Sequence, residues 1–87
     1  MPDFLAQSYV AHSEEAAAAV GRARQLRSPL LLRAILVPTD EILLTVWRGP
    51  DADAVSTATR DAGLSPDRVV PVEELTADPG RPEPGRA

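Results

Sequence analysis

Few side chains in this sequence are equipped for chemistry, and most of them interrupt apolar stretches. Tyr9, Arg33, Thr45 and Trp47 stand among aliphatic residues, and Gln7 lies two positions before Tyr9. An arginine in such surroundings supplies a fixed, planar cation for a carboxylate or enolate oxygen. A tyrosine beside it donates a proton or a hydrogen bond. With Gln7, Thr45 and Trp47 as ligand-binding residues, Tyr9 and Arg33 as the candidate catalytic pair would complete an apolar pocket with a few polar groups, the usual form of a small-molecule site. The competing reading puts Trp47 in a dimer core and pairs Arg33 with an acidic residue at a strand edge or across the dimer.

Metal chemistry has one candidate. His12 is the only histidine, and Ser13, Glu14 and Glu15 follow it. Nickel and similar ions favour imidazole nitrogen assisted by carboxylate oxygen; the structural alternative is a loop histidine beside a helix cap. Asp40-Glu41 and Glu73-Glu74 are adjacent carboxylates, which point apart in extended chain and read as a solvated turn and a strand end. Asp67-Arg68 reads as fixing the loop before the last strand. No GxSxG or glycine-rich phosphate loop occurs. The absence of cysteine excludes disulfides, thiolate metal sites and cysteine nucleophiles.

The net charge is −4, and all nine basic residues are arginines spread along the chain. Without a basic stripe or clustered aromatics, nucleic acid is not an expected partner. No apolar run approaches the roughly 20 residues of a membrane span, and no basic start followed by an apolar stretch marks a secretory signal. No membrane partner is expected, and a cytoplasmic location follows by default.

The elements that must position these residues are legible from periodicity and punctuation. Phe4 to Val10 alternates loosely and suits a strand. Ser13 is the expected N-cap of a first helix, with Glu14 and Glu15 in the turn where the helix dipole favours carboxylates. Its inward stripe is Ala16, Ala19, Val20, Ala23 and Leu26, and Ser28-Pro29 ends it. Leu30 to Val37 is a second strand, Pro38-Thr39-Asp40 a tight turn, and Glu41 to Trp47 a third strand. Gly49-Pro50 breaks that strand, and Asp51 caps a second helix with the stripe Ala54, Val55, Ala58 and Ala62. Gly63 falls at its C′ position. Asp67 to Leu75 is the fourth strand. The order βαββαβ predicts an α+β, ferredoxin-like domain over residues 1–75, with four antiparallel strands and two helices on one face. Thr76 to Ala87 has three prolines, two glycines and no large apolar residue, and is expected to be a disordered tail.

Strict alternation puts Leu30, Leu32, Ala34 and Leu36 on one face of the second strand and Leu31, Arg33, Ile35 and Val37 on the other. In the third strand Ile42, Leu44 and Val46 oppose Leu43, Thr45 and Trp47. Both faces are mostly apolar, but two helices cover only one. A second copy packed on the open face is the simplest cover, so a homodimer is expected. Parity allows Arg33, Thr45 and Trp47 to share a face, with Gln7 and Tyr9 joining them.

The run VPTDE, a strand, GPDADAV, AGLSPDRVV and a closing acidic pair, within Phe4 to Leu75, resembles a small actinobacterial family. The family is a domain of unknown function, and one member is described as nickel-binding. The resemblance implies a ferredoxin-like fold and dimers related to the dimeric α+β barrels. No cofactor is expected from the residues themselves; the nickel-binding member adds nickel as an alternative, with His12 the metal residue available. The mid-helix histidine of many members is Ala58 here. A Glu-Arg pair of the first strand is Gln7-Ser8, and an acidic residue near the end of the third strand is Arg48. Among the dimeric α+β barrels are cofactor-free monooxygenases and polyketide cyclases that use the sheet cavity. The favoured reading is a homodimer binding a small ligand in an apolar cavity on the open sheet face. The alternatives are a cofactor-free cyclase or isomerase of secondary metabolism using Tyr9 and Arg33, and a nickel or divalent-metal binder.

Overall fold

Alternating burial along the first strand, Asp3–Tyr9 (β1), establishes the two sides of the sheet: Phe4, Ala6 and Ser8 are buried, while Leu5 and Gln7 are half-exposed and Tyr9 is open to solvent. The computed structural model describes residues 1–73 and 75. The tail expected over 76–87 lies outside them, as does Glu74 of the second acidic pair. After β1 come helix Ser13–Ala23 (α1), strand Leu30–Val37 (β2), a 3₁₀ turn at Pro38–Asp40, strand Ile42–Arg48 (β3), helix Ala52–Asp61 (α2) and strand Pro66–Val72 (β4). The strands form one antiparallel sheet in the order β2-β3-β1-β4. The chain is therefore an α+β protein of ferredoxin-like arrangement. Among the described residues no helix is long and apolar enough to cross a membrane.

The ends of the elements follow local chemistry. Asp51 Oδ1 accepts from the Ala54 amide at 2.8 Å, satisfying one of the amides that a helix start leaves unpaired. Gly63 adopts φ +92 after α2, a conformation that costs a glycine little. Above it, Arg22 of α1 donates from Nε to the Ala62 carbonyl at 2.7 Å, so a cation of one helix closes the carbonyl end of the other. The expected cap at Ser13 is a correction: His12 is the extended N-cap residue and makes no side-chain cap bond, and Ser13 is already helical. α1 also stops at Ala23, short of Ser28, and β4 stops at Val72, leaving Leu75 88% exposed.

Both helices lie on the face of Phe4, Ala6, Leu43, Thr45 and Trp47. One core cluster gathers Phe4, Ala6, Ala23, Trp47, Val55, Ala58 and Ala62; a second gathers Val10, Ala16, Ala19, Leu43 and Leu64. Large residues come chiefly from the sheet and small ones from the helices. The alanine stripes leave the volume that the indole of Trp47 and the ring of Phe4 fill, which is how interiors reach native packing density with short side chains. The indole nitrogen donates to Thr45 Oγ1 at 2.8 Å, and that hydroxyl donates to the Ala6 carbonyl at 3.4 Å. The polar atoms of this cluster are thus satisfied, as burial requires.

Ser8 is the exception. It is fully buried, and its hydroxyl has no hydrogen-bond partner among the described residues. A buried hydroxyl without a partner costs on the order of 1–3 kcal/mol. Ser8→Ala is accordingly expected to raise the urea midpoint, by up to about 1 kcal/mol in stability after the small loss of packing. A destabilisation of more than about 1 kcal/mol would show that the hydroxyl is bonded in solution.

Candidate ligand-binding face

Among the described residues, no helix lies on the second face of the sheet. Four rows of side chains cross it, each set by the strand register. The first is Leu30, Arg48, Asp3 and Val72; the second is Arg33, Val46, Leu5 and Val70. The third row is Ile35, Leu44, Gln7 and Arg68, and the fourth is Val37, Ile42 and Tyr9. Leu5, Leu44, Val46, Val70 and Val72 are half-buried by their neighbours alone, and Ile35 is 45% exposed. A contiguous aliphatic centre of this kind is uncommon on a surface without a partner or ligand.

One end of the face is a groove of about 380 Å³ lined by Asp3, Leu32, Arg33, Val46, Arg48, Val72 and Glu73. A β-bulge builds it. Leu31 pairs with Trp47 while Arg33 pairs with Val46, so Leu32 is an extra residue between them. A bulge turns two successive side chains toward one side of a sheet, and both Leu32 and Arg33 line the groove. Opposite them, Arg48 donates from Nε to Asp3 Oδ1 at 2.9 Å and from its terminal amine to Oδ2 at 3.4 Å. This two-pronged contact orients the guanidinium along the strand pair.

At the far end of the face Tyr9 donates its hydroxyl proton to Glu41 Oε2 at 2.5 Å. Glu41 sits at φ 55 after the 3₁₀ turn, a left-handed conformation unusual for a glutamate, and its carbonyl accepts from the Val10 amide at 2.8 Å. The bond to Glu41, then the charge of the same carboxylate, then a smaller desolvation raise the Tyr9 phenol above its ordinary value of 10.0. Because the neutral form makes the bond, its contribution to stability is present below pH 10 and lost as pH rises through the folded-state value. Tyr9 is the only tyrosine, so absorbance at 295 nm follows it alone. Its midpoint is expected above 10 and should move back toward 10 in Glu41→Gln. An unchanged midpoint would remove the carboxylate as the cause.

The residues expected to form a site are thus divided. Gln7, Tyr9 and Arg33 do lie on the open face. Thr45 and Trp47 do not: both are wholly buried on the helix side, so the expectation that they share a face with Arg33 is corrected. The bulge is one reason, since it moves Leu31 to the helix side with Ala34 and Leu36; the other is that β3 turns its bulkiest residue toward the helices. Tyr9 and Arg33 are also apart. Their partners on β3, Ile42 and Val46, are four residues from each other. That spacing is roughly 13 Å along the strands, with two strand spacings, about 10 Å, across them. His12 lies elsewhere, exposed in a concavity of about 340 Å³ with Val10, Ala11, Ser13, Glu14, Leu36 and Pro38. Among the described residues, no three histidine, cysteine or acidic side chains are grouped to hold a metal ion. Reading the sequence missed Arg48, Asp3 and Leu32; the opposite charges on Asp3 and Arg48 were visible, but their pairing depends on register.

No family model matches the chain, and no curated protein is significantly similar to it. Among solved structures, the fold is similar to the crystal structure of SCO4226 from Streptomyces coelicolor A3(2), with a TM-score of 0.63 at 20% sequence identity, over 86% of this chain and 99% of that one. The βαββαβ arrangement is thus one that an actinobacterial protein of comparable extent also adopts.

Proposed function

We propose that this chain is a small homodimeric ligand-binding protein whose cavity forms over the open face of the sheet, in the manner of the dimeric α+β barrels. The observation that carries the reading is the aliphatic centre of Leu5, Leu44, Val46 and Val70, which no helix among the described residues covers, both α1 and α2 lying on the other side. A second copy would cover it, and the polar residues at its margins would orient a ligand. The cyclase or isomerase alternative has less support, because Tyr9 and Arg33 are too far apart to flank one small reacting centre. The nickel alternative rests on His12 and the resemblance in sequence.

Native mass spectrometry of the untagged chain, with and without Ni²⁺, tests the ligand-binding reading against the nickel one. A dimer carrying a co-purified organic mass would support the reading. Whole nickel ions taken up by the wild type but not by His12→Ala would replace it with metal binding. A monomer at micromolar concentration would overturn it.

A further inference from the structure

The groove at the Asp3–Arg48 end differs in character from the rest of the face. The aliphatic centre itself carries no charge; here the bulge delivers Leu32 and Arg33 together, and Asp3 fixes Arg48 across the strand pair. Resting on the reading that the open face binds a small ligand, we infer that the ligand is an amphipathic organic anion, its apolar body on Leu32, Val46 and Val72 and its anionic group on the guanidiniums of Arg33 and Arg48.

Three observations carry this. The groove, about 380 Å³, has the volume of a small-molecule site. Its walls pair an apolar floor with two guanidiniums, and each guanidinium has five N–H donors in a fixed fork. Such a fork serves an oxyanion group even when it already holds an intramolecular partner, as Arg48 holds Asp3. Finally, the bulge interrupts β2 at Leu32, directly before Arg33, the kind of irregularity that re-aims a side chain at a site. Asp3 and Glu73 balance the two arginines in formal charge. Recognition therefore comes from the placement of donors rather than from bulk attraction, and a chain of net charge −4 disfavours anions in general. Any preference for an anion must be local.

The test compares two fluorescent probes with one apolar body: 1-anilinonaphthalene-8-sulfonate, which is anionic, and N-phenyl-1-naphthylamine, which is neutral. The untagged full chain is titrated with each. The expected result is that the sulfonate binds about tenfold more tightly, the size of one charge-assisted contact, and that 0.5 M salt narrows the gap. In Arg33→Gln, and separately in the double variant Asp3→Asn/Arg48→Gln, the gap should fall to about twofold or less. The neutral probe's affinity and the circular dichroism should stay as in the wild type. Equal affinities in the wild type, or a gap that survives both variants, would overturn the anion and leave the cavity standing. Failure of both probes to bind would overturn the cavity and the anion together.

Discussion

Trp47→Ala is expected to cost about 3–5 kcal/mol, the range for truncating a large buried aromatic. The described domain is small, and at roughly 0.05–0.15 kcal/mol per residue its whole stability is of order 4–11 kcal/mol. One substitution therefore removes a large part of it. Two terms add. The cavity opens between Ala23 of α1, Ala58 of α2 and Ala62 just beyond α2, which have no longer side chain to move into it. The hydroxyl of Thr45 also loses the indole donor that now reaches it at 2.8 Å. Trp47→Phe separates the two, since it keeps most of the volume and still removes the donor; about 1–2 kcal/mol is expected. Urea denaturation followed by far-UV circular dichroism measures both. A Trp47→Ala protein that unfolds cooperatively with a loss under about 1 kcal/mol would show that the sheet and helices do not depend on this residue.

Leu44→Asp is expected to turn the proposed dimer into a folded monomer. Leu44 sits mid-sheet on the open face, between Ile35 of β2 and Gln7 of β1, and is half-exposed in the single chain. A carboxylate there keeps contact with water in the monomer, so the secondary structure should survive. In a two-fold interface every substitution occurs twice. Two carboxylates would then be stripped of water in the dimer, at a cost of several kcal/mol. Every 1.4 kcal/mol is a factor of ten, so the dimer dissociation constant should rise by about a thousandfold or more. Light scattering during size-exclusion chromatography reads the mass, and circular dichroism checks the fold. A wild-type dimer that persists unchanged in Leu44→Asp would place the contact on another surface. The edge of β2 would then be the next candidate, because β4, the other edge, carries Pro66 and Pro71, which donate no backbone bond.

The two substitutions act on opposite faces of the same strand, and the contrast shows what was readable beforehand. Alternation within β3 separated Leu43, Thr45 and Trp47 from Ile42, Leu44 and Val46 correctly, because a two-residue period needs no partner strand. It did not say which set meets the helices. Both sets are apolar enough to be core; parity alone lets the larger one, with Trp47, face the open side, whereas it packs inside. β2 poses a harder problem. Unbroken parity through Leu30 to Val37 puts Leu31 with Arg33; the bulge at Leu32 separates them, and LLLRAILV has no glycine to mark it, while its one charge, Arg33, fits either register.

Fold class lay within reach of the sequence by itself. The order of elements, the Asp51 cap, the Gly63 stop and the alternation of each strand are local properties set by a few neighbouring residues. Local propensities that all agree leave few topologies open. The contacts that make a candidate site are of another kind. Arg48 against Asp3 joins residues 45 apart in sequence, Tyr9 against Glu41 joins residues 32 apart, and Leu32 beside Arg33 depends on how β2 slips along β3. Each is decided by strand register and by which sheet face the helices cover. Those are properties of the packed chain, settled where indole, alanine and backbone volumes have to fit together.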